Sequence, residues 1–420
     1  MGASALLVLR ARVVLPIRRP LIENGAVVIS GRRIAAVGSW TSIRRRHSGR
    51  TLDLGEVILL PGLVNAHCHL DYTRMAGMFP PPRGFCDWIK TITTEKSLWS
   101  DADFAVSWRD GAAMLLRSGT TTVADIEAMP QLLPKAWQRT PLRVISLLEM
   151  TGIRSRRDPD SVLGEAATKI DSLPRGRCFA GLSPHAPYST LPRLMNRCGV
   201  IARRRRWLVA THLAESATEF EMFRHARGEM FDWLRRNERE MSDCGGISPV
   251  QHLAATGLLG ANLIATHVNY LAPGDASLLA GKRVSVVHCP RSHDYFRHRV
   301  FPYGTLARAG VNICLGTDSL ATVRKHPRRD LELNLFHEMR AFAARHSRLA
   351  SERILQMVTI NGARALGLRG EIGELAKHAW ADVIALPFSG SVGQSYDAVL
   401  EHRGGVSASM IDGHWAIPPH

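Results

Sequence analysis

Lysine is scarce in this chain. Only seven of the 54 basic residues are lysine, and the rest are arginine, so the formal net charge of +17 reflects an arginine-favouring composition rather than a selected basic patch. The clusters Arg203–Arg206 and Arg44–His47 fall on predicted helix ends and loops with no interleaved aromatics. They are read as solvated faces, and nucleic-acid binding is not expected beyond an accessory role. Long apolar runs are missing as well. Nothing approaches the ~20 residues of a membrane span, so no membrane partner is expected. The short apolar run at the start is broken by Arg10 and Arg12 and has no basic region ahead of it. It reads as a first strand rather than a signal peptide. None of the seven cysteines stands in a C-x-x-C arrangement, which argues against a disulfide framework and for reduced thiols in the cytoplasm. A glycine-rich phosphate loop after the first strand is absent too, which weighs against an open doubly wound sheet.

What is present is a repeat. The 420 residues, 45% apolar, are enough for a large core with an appendage. Eight apolar runs recur: 63–67, 120–125, 143–149, 179–185, 207–212, 262–267, 284–289 and 312–318. Helical patterns lie between most of them. Near-continuous apolar strands alternating with helices predict an α/β fold, a (β/α)8 TIM-like barrel over 61–369. Residues 1–60 and 370–420 instead alternate apolar and polar, and are expected to pair as a small composite β-sandwich. About 50 residues separate the first two strands, and similarly the fifth and sixth, and such long loops on a rigid scaffold commonly carry binding residues.

Functional groups in such a barrel collect at the C-terminal strand ends. Those positions hold His67 and His69, then His185, His212, His267, His288 and Asp318. The period of two puts His67 and His69 on one face, with Cys68 turned away. A lone strand-end histidine is usually structural, but six of eight strands ending in histidine or aspartate suggests a site for a borderline divalent metal such as zinc or iron(II).

The segments "PGLVNAHCH", "SPHAPYS", "THLAES", "ATHVNYL" and "LGTDS" together resemble the amidohydrolase superfamily. The likeness is to its nucleoside- and nucleobase-deaminase branch, which holds methylthioadenosine/S-adenosylhomocysteine deaminases, aminodeoxyfutalosine deaminases, guanine deaminases and triazine chlorohydrolases. The resemblance implies that His67, His69, His212 and Asp318 hold one divalent metal, Zn2+ or else Fe2+. No lysine stands at the fourth strand end (Ser183-Pro184-His185), which indicates a mononuclear site. It further implies Asp318 as the acceptor of a water proton, Glu215 as the proton shuttle to ring nitrogen and departing ammonia, and His267 as the group steering the attacking water. Glu219 is read as an ordinary helix residue, and Cys68 and Cys289 as packing residues.

For the small-molecule substrate, His185 matches a nucleoside-contacting histidine, Trp88 is placed to stack on a purine, and Arg154 is a candidate for a carboxylate or ribose. In the loop after the seventh strand, His293 stands where relatives have asparagine. Arg291 and His293 are further candidates for substrate contact, and with Tyr295 they set this loop apart. The expected activity is hydrolytic deamination of an adenine-type nucleoside or related N-heterocycle. The alternatives are hydrolysis of another bond (a ring chlorine, a cyclic amide or a urea) or a scaffold without catalysis, which the complete ligand set disfavours. Homo-oligomers are common in the superfamily.

Overall fold

The computed structural model describes residues 6–80, 82–152, 158–325 and 331–419. Sixteen strands fall into two sheets. Five precede the barrel: β1 (Leu6–Val14), β2 (Ile22–Ser30), β3 (Arg33–Ser39), β4 (Arg50–Asp53) and β5 (Val57–Pro61). The barrel strands are β6 (Leu63–Cys68), β7 (Thr120–Glu127), β8 (Arg143–Met150), β9 (Phe179–Pro184), β10 (Val209–Leu213), β11 (Leu263–His267), β12 (Ser285–His288) and β13 (Asn312–Leu315). Three follow: β14 (Val383–Pro387), β15 (Ala408–Ile411) and β16 (His414–Ile417).

β6 to β13 pair in sequence order, each parallel to the next, as the eight apolar runs predict. Every residue of β6, β7 and β10 is buried, which is what strands covered on both faces require. The barrel closes between β13 and β6 near their C-terminal ends. There the amides of Thr317 and Asp318 donate to the carbonyl of His67 at 3.0 and 3.2 Å, and the His69 amide donates to the carbonyl of Asp318 at 3.1 Å. Closure brings the two backbones together where the candidate ligands sit, and Gly316 permits it. A Cβ there would lie 2.7 Å from the His67 carbonyl oxygen.

Strands from both termini share the second sheet, in the order β16-β15-β14-β5-β1-β2-β3, with β4 also on β1. The C-terminal β14 lies antiparallel to β5, the strand that leads directly into the barrel. Arg143 at the start of β8 ties the sheet to the barrel through a buried ion pair with Asp382 at 3.2 Å. Among the described residues, no helix is long and apolar enough to cross a membrane.

The long connection after β6 folds over the barrel mouth. It contains a 3-10 turn (Leu70–Met75), a helix over Phe85–Lys96 (the lid helix below) and a helix over Asp101–Arg117. The last starts in a capping box, with Ser100 and Asp103 exchanging side-chain and backbone hydrogen bonds. Asp125 near the end of β7 fixes the 3-10 turn by accepting from the Leu70 amide (3.0 Å) and the Trp108 indole (2.8 Å).

Candidate active site

His67, His69 and His212 converge at the barrel mouth, each offering one ring nitrogen, with these atoms all within 4.8 Å of one another. Asp318 faces them. Its Oδ1 lies 3.6 Å from His67 Nε2 and 3.7 Å from His69 Nε2, while its Oδ2 accepts from the Thr322 hydroxyl at 3.2 Å. Surrounding groups set the ring orientations. His212 Nδ1 donates to the carbonyl of His185 at 3.0 Å, leaving Nε2 turned inward. His67 Nδ1 meets the Thr266 hydroxyl at 3.2 Å, and the His69 ring stacks on Tyr72 at 5.0 Å between centroids. Such outer contacts fix ligand tautomers in metal sites.

The donor set suits a divalent cation. His67 Nε2 is buried and has no hydrogen-bond partner, an arrangement rarely left uncompensated. His69 Nε2 and His212 Nε2 face each other at 3.3 Å. Burial, and then the neighbouring His67, push His69 down to about 3, and burial also holds His212 well below its usual range. Both rings are therefore neutral at physiological pH, with lone pairs to share. For Asp318, burial opposes ionisation, but contact with His67 and the fields of His267 and His69 outweigh it and keep the group a carboxylate. Three imidazoles and one carboxylate form an N3O donor set of the kind zinc accepts.

Glu215 and His267 occupy the adjoining wall, with Glu215 Oε1 3.5 Å from His267 Nε2. Burial, and then the charge of Asp318, raise Glu215 well above the usual carboxyl range, and His267 is held low chiefly by burial. A carboxyl that holds its proton more firmly than usual thus stands beside an imidazole whose neutral form is favoured. The backbone here is strained: Ala214, His267, Val268 and Asp318 all have positive φ, at 49°, 76°, 49° and 53°. Hydrogen bonds hold it, with the amides of Val268 and Asn269 donating to the carbonyls of Leu213 and Ala214, both at 2.9 Å.

Glu219, expected to be an ordinary helix residue, does stand in the first turn of a helix, Ala217–His225, and it also does more. Its carboxylate accepts from the backbone amides of Ala214 (3.0 Å) and Glu215 (2.8 Å), so it fixes the loop that presents Glu215. Sequence reading took it for an ordinary helix residue and missed this fold-back.

A cavity of ≈570 Å³ opens above these groups, within the range of small-molecule sites. His69, His212, Glu215, His267 and Asp318 line it, and so do His185 and Trp88. Trp88 also packs against Phe85 and Phe296 in the lid. Arg291 and His293 lie outside the lining. Arg291 pairs with the buried Glu338 and donates to the carbonyl of Glu332 at 2.9 Å. His293 is buried behind the wall, its Nδ1 3.0 Å from Asn269 Oδ1. Tyr295 lines a separate cleft with Arg291. His288 stacks on Phe301 at 3.9 Å within the core. Arg154 lies outside the described residues. Cys68 and Cys289 are buried and free, as expected.

Among the lining residues that escaped the sequence reading are Tyr72, Lys96 and Glu149. Glu149 was detectable, because it ends the third apolar run just as the histidines end theirs. Lys96 was not, since it enters from the lid helix, far from any strand end.

A model of the amidohydrolase family matches residues 58–416, most of the chain. The chain belongs to the amidohydrolase family. A short stretch, 25–47, also matches an imidazolonepropionase-like composite domain of bacteria. A 5-methylthioadenosine/S-adenosylhomocysteine deaminase of Syntrophobacter fumaroxidans is 33% identical over 385 residues, 87% of this chain and 80% of the relative. Among solved structures, an adenosine deaminase of Xanthomonas campestris with bound zinc superposes with a TM-score of 0.84 at 24% identity, covering 99% of this chain and 94% of that one. The Helicobacter pylori aminofutalosine deaminase gives 0.85 at 19% identity, covering 97% and 99%. These structural likenesses establish the amidohydrolase fold, a (β/α)8 barrel with a second sheet from the termini.

Proposed function

We propose that this amidohydrolase is a zinc-dependent hydrolytic deaminase of adenine-type nucleosides, working in the cytoplasm. The observation that carries the reading is the placement of the buried Glu215 3.5 Å from His267, both facing, with Asp318, one cavity beside the cluster of His67, His69 and His212. His67, His69, His212 and Asp318 are the residues that would hold the metal. When bound there, a divalent metal would make a water molecule acidic enough to supply hydroxide near neutral pH.

The remaining steps belong to the chain. Asp318 Oδ1, the oxygen not taken by Thr322, accepts the water's proton. Glu215 donates its proton to a ring nitrogen of the substrate as the adjacent amino-bearing carbon is attacked. This lets the ring accept the electron pair without building negative charge in a buried site. The proton held by Asp318 then passes to the amino group, which leaves as ammonia as the C–N bond breaks. The remaining hydroxyl proton returns to Glu215 as the C–O bond becomes the carbonyl, so both carboxyl groups regain their starting states. His267 donates a hydrogen bond to the attacking oxygen and fixes its approach. The lid helix excludes bulk water from the cavity, and Trp88 offers a face for a purine ring.

Identity of 33% to a deaminase named for two adenine nucleosides supports the substrate class, and seven free cysteines fit a reducing compartment. An ammonia-release screen of the zinc-loaded protein tests the reading. Its panel holds adenosine, methylthioadenosine, S-adenosylhomocysteine, aminodeoxyfutalosine, guanine and cytosine. The expected result is ammonia and a 6-oxopurine product from at least one of the adenine nucleosides. Chloride from a chloro-heterocycle or a ring-opened acid, with no ammonia from any member, would move the chemistry to another bond.

A further inference from the structure

The cavity has two chemically distinct ends. Glu215, His267 and Asp318 mark one. Across the histidine cluster, Glu149 at the end of β8 and Lys96 on the lid helix mark the other. Lys96 Nζ lies 3.7 Å from Glu149 Oε2, and Glu149 Oε1 lies 3.9 Å from His185 Nε2. The ammonium also donates to the Tyr72 hydroxyl and sits 4.7 Å from the centre of that ring. His185 Nδ1 is taken by the Ser189 hydroxyl at 2.5 Å, so Nε2 is its free nitrogen.

A buried ion pair is weak evidence of stabilisation, because desolvation offsets most of the attraction. This pair is also loose, with Lys96 Nζ 3.7 Å from Oε2 and His185 Nε2 3.9 Å from Oε1. The group is nonetheless ionised: burial opposes its charge, and the fields of Lys96 and then His185 outweigh that. Lysine is rare in this chain, yet two of the seven, Lys90 and Lys96, line this cavity, and Lys96 is the one beside Glu149.

We propose that Glu149, Lys96 and His185 form the subsite for the vicinal hydroxyls of the substrate's sugar, with Glu149 as the main determinant of specificity. The proposal rests on the deaminase reading above. The charges decide the ligand class. An anionic substituent drawn to Lys96 would meet Glu149, and a cationic one drawn to Glu149 would meet Lys96. A neutral diol satisfies both, donating two O–H groups to the carboxylate and accepting from the ammonium. Strand order also fits. Glu149 and His185 end β8 and β9, whereas Glu215, His267 and Asp318 follow β10, β11 and β13, so a base at the reactive groups leaves its sugar towards Lys96.

The test compares adenosine with 2′,3′-dideoxyadenosine in the zinc-loaded wild type and in Glu149→Gln, with metal content and thermal unfolding checked alongside. Wild type is expected to prefer adenosine in kcat/KM by on the order of 100-fold, since leaving a charged acceptor unpaired is costly. Glu149→Gln is expected to bring that ratio close to one, mainly by lowering kcat/KM for adenosine. Equal losses on both nucleosides, or a wild type indifferent to the diol, would overturn the proposal. Should Glu149→Gln fail to fold, Lys96→Met is expected to shrink the same ratio, and an unchanged ratio there overturns the proposal equally. A wild type that releases no ammonia from either nucleoside would count against the deaminase reading instead. Calorimetric binding of the two nucleosides then decides the subsite: tighter binding of adenosine supports it, and equal or absent binding overturns it.

Discussion

Glu215 shows how environment, rather than residue type, assigns a role. Burial and the nearby Asp318 raise its carboxyl well above the usual range, whereas the histidines around Asp318 favour that group's ionised form. In the proposed reaction the two carboxyl groups are thereby separated into an acid and a base. Glu219 supports the arrangement from behind by clamping the amides of Ala214 and Glu215. Glu219→Gln, which replaces one accepting oxygen with a donor, should lower kcat by roughly 10- to 100-fold with KM within a few-fold of wild type. Steady-state kinetics check this, and a rise in KM alone would contradict it. At the metal cluster, His212→Ala should reduce metal content from about one per chain to a small fraction, read by elemental analysis after dialysis. Full occupancy would show that the cluster does not hold the ion.

At the scale of elements, the barrel was legible because each parallel strand is buried on both faces and so reads as an unbroken apolar run. All eight runs became strands, with ends shifted by a few residues at most. The ligand cluster was legible for a related reason: closure of β13 on β6 gathers strand ends at one mouth. The lid was not, because Lys96 and Tyr72 sit on short elements whose position depends on tertiary contacts such as that of Asp125 with Leu70 and Trp108. The loop after β12 was distinctive in sequence, yet Arg291 is committed to Glu338 and His293 to Asn269, away from the cavity. Sequence shows that a loop is unusual but not which way its side chains turn.

Two element-level outcomes follow. Gly316→Ala would press a Cβ against backbone and Cβ atoms of His67 at 2.7 to 3.0 Å. It should cost about 1–3 kcal/mol of stability and weaken metal binding together, as read by denaturant unfolding and metal titration. Stability loss with unchanged metal affinity would contradict the coupling of closure to the site. Trp88→Ala on the lid helix should raise KM for an adenine nucleoside roughly ten-fold or more while leaving metal content intact. An unchanged KM would leave Trp88 as a lid-packing residue alone.

For the whole molecule, buried histidines set the response to acid. His293 is lowered to about 4 and His298 to about 3, both chiefly by burial, and His252 and His288 are also held low by burial. Each therefore has a folded pKa below its unfolded value of 6.5. Between the two values the unfolded chain binds more protons, so stability falls as pH drops through that window. His293 and His298 alone should contribute on the order of 2–3 kcal/mol per pH unit near pH 5. Buried Glu127 and Glu219, both raised to about 7, act in the opposite direction over the same range, so the histidine contribution is read by difference. Denaturant unfolding of the metal-free protein at pH 7, 6 and 5 should show His293→Asn losing less stability towards acid than wild type, and identical pH profiles would contradict it. The net charge of +17 adds self-repulsion in the same direction as the histidines.

The most direct measurement on the central claim is ammonia release from an adenine nucleoside by zinc-loaded wild type and Glu215→Gln, with metal content determined on the same samples. The account predicts one ammonia per 6-oxopurine product from wild type. From the variant it predicts equal metal content and a rate lower by on the order of 10²–10⁴. Wild-type protein that retains its metal but releases no ammonia from any adenine nucleoside, or a variant that keeps wild-type turnover, would contradict it.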